Sequence, residues 1–103
     1  MPYMLRFVQH FKPGDEQVFM KLEKEFSTIE GKSKDFPKGR RFQPYSGRDP
    51  RHTLVWQCEF STIDELNRAI GRMAASEEHD RLFKKVAPTM IDSYTEIYEI
   101  LDL

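Results

Sequence analysis

The residues of this sequence best suited to chemistry are His10 and Glu59, because an imidazole held beside a carboxylate can act as a general base. They lie towards the ends of two segments that alternate apolar and polar residues, 3–11 and 52–60. A right-handed crossover predicts that these segments are neighbouring parallel strands. Both side chains would then emerge at one end of the sheet, on one face. The alternative is a structural contact at the sheet rim, or two unrelated side chains.

Four further residues are predicted to contact a ligand. Arg6 and Gln57 share the predicted face of His10 and would lie deeper in a cavity over it, where Arg6 would pair with a carboxylate or enolate of the ligand. Tyr45 and Tyr98 are amphipathic and suit the wall of a cavity for an aromatic molecule. More often such tyrosines pack on a sheet with the hydroxyl group at the surface.

The remaining reactive side chains do not predict a metal or a cofactor. In a parallel arrangement His10 and His52 would stand about 20 Å apart, at about 3.3 Å per residue. No histidine pair or Cys/His spacing resembles a zinc site, so we expect neither a metal nor a bound cofactor. Cys58 has no matched base and is expected to be an inert buried thiol. A single cysteine favours a reducing cytoplasm.

The segments that would position these residues follow the order βαββαβ, with an extra short helix before the last strand. Helix starts are predicted at Asp15, at Thr62 with Glu65 completing a capping box, and at Ser76. Pro88 ends the last of these helices. The other predicted segments are strands at 3–11, 39–46, 52–60 and 91–101 and a polar loop at 32–38.

This order predicts an α+β, ferredoxin-like fold with a four-stranded sheet, and 103 residues leave room for one domain, 1–103. Helices would cover one face of the sheet. The more apolar side chains of strands one and three are assigned to that face. The other face must meet water, a ligand or a second subunit. Its predicted residues on these two strands are Met4, Arg6, Val8, His10, Thr53, Val55, Gln57 and Glu59.

Charge and hydropathy argue against nucleic-acid and membrane partners. The net charge of −1 gives no general attraction to either surface. RNA-recognition motifs share the βαββαβ order, but the third strand here lacks their basic, glycine and aromatic run. No apolar run is long enough to cross a bilayer, and the first residues lack a signal-peptide pattern.

Several short stretches resemble the dimeric α/β-barrel superfamily, and within it NIPSNAP-like and antibiotic-biosynthesis-monooxygenase-like domains. They are the sequences at 11–14, 55–56, 60–66, 76–79 and 86–88. The resemblance implies homodimers that pair their sheets face to face, with ligand cavities inside the barrel or between sheet and helices. It also implies that the helix carrying His79 borders a cavity mouth, which makes His79 a candidate ligand contact. Some members are cofactor-free oxygenases and others degrade haem.

Haem degradation in such proteins depends on an Asn on the first strand, with a Trp and a His downstream. Here the first strand offers Gln9, and Trp56 lies on the third strand, so we do not expect this activity. The sequence and its resemblance together favour a homodimer that binds a small hydrophobic or aromatic molecule, as a cofactor-free oxygenase-like or isomerase-like enzyme. The alternative is a non-catalytic module that binds a ligand or another protein.

Overall fold

The computed structural model describes residues 1–34 and 36–103. The loop predicted at 32–38 includes residue 35, which lies outside the described residues. A short 3-10 helix, Ala87–Thr89, precedes the last strand. The other elements, in chain order, are β1 (Tyr3–Phe11), α1 (Glu16–Lys32), β2 (Arg40–Phe42), β3 (Thr53–Phe60), α2 (Ile63–Ala75), α3 (Glu77–Val86) and β4 (Met90–Glu99).

The sheet has the order β2-β3-β1-β4, and every neighbouring pair is antiparallel. The ferredoxin-like fold with its antiparallel sheet is confirmed, but the expectation that β1 and β3 run parallel is wrong. The crossover through α1 makes β1 parallel to β2, with one strand's space between them. The chain then reverses through residues 43–52, so β3 fills that space in the opposite direction to both strands.

Two of the three predicted helix starts are made by side-chain caps. The hydroxyl of Thr62 accepts a hydrogen bond from the backbone N–H of Glu65 at 3.1 Å, and the hydroxyl of Ser76 accepts one from His79 at 3.2 Å. Helix α1 starts directly after Asp15, but the Asp15 side chain makes no capping bond. Within the described chain, no helix is both long and apolar enough to cross a membrane.

Side-chain alternation divides the sheet into an inner face, covered by the helices, and an outer face. The inner face carries two apolar clusters. Leu54 and Phe11 pack with α1 and α3 in one, and Leu5 and Trp56 pack with Leu66 of α2 in the other. The predicted face assignment is therefore confirmed. By strand register, the outer face carries Met4, Arg6, Val8, His10, Thr53, Val55, Gln57, Glu59, Asp92, Tyr94, Glu96 and Tyr98.

Close packing at Gly39 fixes the position of the indole ring of Trp56. A Cβ atom at residue 39 would lie 2.1 Å from Cε2 of Trp56, far inside van der Waals contact. Glycine therefore lets the chain entering β2 lie directly against the ring. The same approach covers Nε1 of Trp56, which is buried and has no hydrogen-bond partner among residues 1–34 and 36–103.

Candidate functional site

The predicted pairing of His10 with Glu59 is wrong, because the strands that carry them are antiparallel. His10 lies opposite Thr53 at one end of β3, whereas Glu59 lies opposite Met4 near the other. Six strand positions separate the two levels, or about 20 Å at about 3.3 Å per residue. Both side chains lie on the outer face, as predicted, but they cannot act on one substrate atom as a hydrogen-bonded pair.

His10 instead lies between two carboxylates. Its Nδ1 contacts Oδ1 of Asp92 on β4, and its Nε2 lies 3.4 Å from Oδ1 of Asp49 in the loop before β3. Burial lowers the pKa of His10, but the hydrogen bonds and charges of the two aspartates outweigh it and raise the pKa overall. Only the imidazolium form donates from both nitrogens. When protonated, His10 therefore fastens this loop to the sheet through both aspartates.

The two histidines predicted to lie far apart lie instead at the same end of the two central strands, β1 and β3. The backbone N–H of Phe11 donates to the carbonyl of His52 at 3.0 Å. The His52 ring packs edge-on against Phe11, while His10 lies on the outer face. Among the described residues, no group of three His, Cys, Asp or Glu side chains comes close enough to hold a metal ion.

Three of the predicted ligand contacts do meet on the outer face. Arg6 donates to Oε1 of Gln57 at 3.1 Å, to Oε1 of Glu96 at 2.6 Å and to the hydroxyl of Tyr98 at 3.1 Å. Its guanidinium also lies 5.3 Å from the centre of the Tyr98 ring. Glu96 therefore already balances the charge of Arg6. Tyr45 does not join this group, because it is 91% exposed in the loop after β2.

A half-open apolar cavity lies on the inner face, between the sheet and the helices. It is a cavity of about 320 Å³, at the lower end of the range for small-molecule sites. His79 is the one predicted site residue in its wall. The lining residues are Leu5, Phe7, Gln9, Glu23, Phe26, Glu30, Arg41, Trp56, Ile70, Met73, Ala74, His79, Phe83 and Thr95.

Charge inside this cavity is concentrated in one network that joins β2 to α1. Arg41 donates from Nε to Glu23 at 2.6 Å, and from Nη1 and Nη2 to the two oxygens of Glu30 at 3.0 and 2.9 Å. Burial raises the pKa of Glu23, although Arg41 opposes the shift. Removal of Arg41 would leave two carboxylates close together with no cation between them, which is costly in a partly buried site.

His79 enters the cavity wall from the first turns of α3. Its ring packs edge-on against Phe26, with ring centres 5.1 Å apart, and lies 6.4 Å from the ring of Phe36. Burial among these groups lowers the pKa of His79, although the charges of Glu30 and Asp80 oppose the shift. The imidazole is therefore neutral at neutral pH and has a nitrogen that can accept a proton.

Gln9 is the other polar group that distinguishes the cavity. It is 7% exposed, and its Oε1 atom has no hydrogen-bond partner within the described residues. A buried acceptor without a donor is unfavourable, so a ligand that donates a hydrogen bond there would gain from it. The alternation of strand one already places Gln9 on the helix side, on the same face as Leu5, Phe7 and Phe11.

Sequence analysis missed Glu23, Glu30 and Arg41 as site residues, although the sequence carries a signal for one of them. Glu23 follows Phe19 by four residues and precedes Phe26 by three, which places it on the apolar stripe of α1. A charged residue on such a stripe needs a buried partner. The identity of that partner required knowledge of how β2 lies against α1.

The comparisons with known proteins identify the fold. The sequence matches no protein-family model and no curated protein. A NIPSNAP family protein from Agrobacterium tumefaciens superposes with a TM-score of 0.80 and 15% identity, covering 98% of this chain and 87% of that one. A NIPSNAP domain protein from Burkholderia xenovorans gives 0.78 and 14%, covering 98% and 95%.

A third similar structure comes from Caulobacter crescentus and is assigned provisionally to the antibiotic biosynthesis monooxygenases. Its TM-score is 0.76 at 9% identity, and the superposition covers 98% of this chain and 91% of that one. The structural neighbours expected from the resemblance are therefore confirmed. At these identities the similarity shows the fold alone, and the function has to be argued from the residues of this chain.

The contacts of His10 predict how stability depends on pH. Its pKa is raised above the usual 6.5 in the folded state, so its contribution to stability is complete below the unfolded pKa. That contribution is lost as pH rises through the folded pKa. When the pH is raised from about 5.5 to about 8.5, the free energy of unfolding measured in urea should fall further for the wild-type protein than for His10→Gln. The control His52→Gln should follow the wild type; parallel wild-type and His10→Gln curves would contradict the prediction.

Proposed function

We propose that this protein binds a small hydrophobic, ring-containing molecule in the cavity between its sheet and helices. The observation that carries the proposal is a half-open, mainly apolar cavity with aromatic walls and a few polar groups at fixed positions. The wall offers aromatic stacking surfaces from Phe7, Phe26 and Phe83, and a buried acceptor on Gln9. A cytoplasmic location fits this proposal, because Cys58 is a free thiol.

Binding can be followed at Trp56, the one tryptophan in the sequence, whose side chain lines the cavity. We expect the neutral probe 2-naphthalenemethanol to shift the indole N–H signal of Trp56 saturably in NMR titrations. Ala74→Phe should weaken binding by about tenfold or more, because the added ring fills the space that the probe needs.

The control for this prediction is Ala75→Phe, since Ala75 is the next residue of α2 and does not line the cavity. It should leave the affinity within about twofold of the wild-type value. Equal losses in the two variants would place binding elsewhere, and no saturable shift in the wild type would contradict the proposed function.

A cofactor-free oxygenase is the second candidate, and His79 is the observation that favours it. Such a reaction begins when a base removes a proton from the substrate, leaving an electron-rich anion that reacts with O₂. The neutral imidazole of His79 lies in the cavity wall and can accept that proton. The anion would also need a positive partner, but Arg41 is already engaged by Glu23 and Glu30. Ligand binding is therefore the first candidate.

Oxygen uptake tests the oxygenase role. With 1,3-dihydroxynaphthalene as a readily oxidised aromatic substrate, His79→Ala should lower uptake by about a hundredfold, the typical contribution of a general base. His52→Ala should not change oxygen uptake, because His52 packs on Phe11 at the end of the central strands. Uptake no faster than without protein would contradict this role and leave the binding role untouched.

We also propose a homodimer formed through the outer face of the sheet. The helices leave this face uncovered, and aromatic side chains stand exposed on it, with Tyr94 at 42% and Tyr98 at 43%. Between them Glu96 neutralises Arg6, so a second copy could cover this part of the face at little electrostatic cost. Face-to-face pairing would bury the tyrosine rings and close a barrel.

Sedimentation equilibrium tests the dimer. We expect the wild-type protein to sediment as a dimer at about micromolar concentration. Tyr94→Lys should shift it towards monomer, because it places a charge at the centre of the proposed interface. Val18→Lys is the matched control, since Val18 is 53% exposed on α1, away from the sheet. A monomeric wild type, or equal effects of the two substitutions, would contradict the proposal.

A further inference from the structure

The charges around the cavity do not balance. Glu23 and Glu30 supply two carboxylates, and Arg41 supplies one guanidinium. The pKa of His79 is lowered, so it adds no positive charge at neutral pH. The other residues in the wall are uncharged side chains. With both carboxylates ionised, the cavity therefore carries one net negative charge in surroundings that are mostly apolar.

The two carboxylates are engaged to different degrees. Both oxygens of Glu30 accept hydrogen bonds from Arg41, whereas Glu23 accepts through Oε1. Within the described residues, Oε2 of Glu23 has no partner, and the Glu23 side chain is only 9% exposed. It therefore keeps the capacity to accept a further hydrogen bond, ideally from a charged donor.

Gln9 provides a second and independent indication of what the ligand carries. Its side-chain oxygen is buried, lacks a donor and belongs to the wall of the same cavity. Gln9 lacks a donor and Glu23 can accept a further one, and a donor with a positive charge would also offset the excess carboxylate. The aromatic rings of Phe26 and Phe83 favour the same kind of ligand, because the face of a ring attracts cations.

We propose that the cavity is selective for hydrophobic amines, in which a ring system fills the apolar space and an ammonium group donates to Glu23 and Gln9. This inference rests on the proposed binding function and adds to it the chemical class of the ligand. The raised pKa of Glu23 reflects the same imbalance. Burial destabilises the ionised carboxylate, and either a proton or the ammonium group of a ligand can offset its charge. A carboxylate ligand would add a second uncompensated negative charge and is disfavoured.

Three probes that share one ring system and differ in charge test this selectivity. They are 2-naphthylmethylamine, 2-naphthalenemethanol and 2-naphthoate, titrated into the full chain at neutral pH and followed through the indole N–H signal of Trp56. We expect the amine to bind about tenfold more tightly than the alcohol, as a charge-assisted hydrogen bond predicts. The carboxylate should bind most weakly.

The substitution Glu23→Gln tests whether Glu23 is the residue that causes the preference for the amine. It should lower the ratio of the amine affinity to the alcohol affinity to about one, whatever the effect of the substitution on the alcohol itself. Glu25→Gln is the matched control, since Glu25 lies on the exposed side of α1 and should keep the full advantage. The wild-type ranking of the three probes requires no variant, so the proposal stays testable even if Glu23→Gln does not fold.

Each contrary outcome has a separate meaning. Equal affinities for the three probes, or tightest binding of 2-naphthoate, would overturn the amine selectivity and leave the cavity as a binding site. A full amine advantage in Glu23→Gln would overturn the assignment to Glu23. Failure of all three probes to bind would contradict the proposed function itself, and the inference with it.

Discussion

The contact of Arg41 with Glu23 and Glu30 joins the shortest strand of the sheet to its longest helix. Strand β2 has three residues and pairs with β3 along one side only, so few backbone hydrogen bonds hold it. The guanidinium of Arg41 reaches across the edge of the sheet to two carboxylates of α1. These ion pairs tie β2 to α1 in the wall of the cavity.

The two faces of the sheet use their charged residues differently. On the outer face, charges of opposite sign lie side by side, as Arg6 does with Glu96 and His10 with its two aspartates. Such pairs let a surface be covered at little electrostatic cost. His10 on the outer face and Arg41 on the inner face each meet two carboxylates, but the network of Arg41 lies in more apolar surroundings. Within this one sheet, the outer face suits a partner chain and the inner face suits a small molecule with a charge of its own.

Local sequence patterns predict much of this fold. Alternation in β1 and β3 assigned residues to faces correctly, since that pattern needs only the two-residue period of a strand. Thr62 and Ser76 marked helix starts because capping depends on neighbours within three residues. The direction of β3 relative to β1 is not a local property. The wrong prediction that these strands run parallel is what produced the false pairing of His10 with Glu59.

The candidate site was less predictable, because its polar groups come from elements distant in sequence. Arg41 meets Glu23 across eighteen residues, and Arg6 meets Glu96 across ninety. No spacing rule links such pairs, and their contact depends on strand register and on the position of α1. His79 was placed at a cavity mouth by resemblance, and the structure locates its ring in the cavity wall. The charge of the cavity became apparent only when all of its lining residues were known.

The packing of Gly39 against Trp56 also limits how this sequence can diverge. No side chain fits at position 39 while an indole occupies position 56, since even a Cβ atom would overlap the ring. The two positions are therefore coupled: drift at one is tolerated only after a smaller residue has arisen at the other. In relatives of this chain, a residue larger than glycine at position 39 should mark a protein without the tryptophan, and with a cavity of different shape.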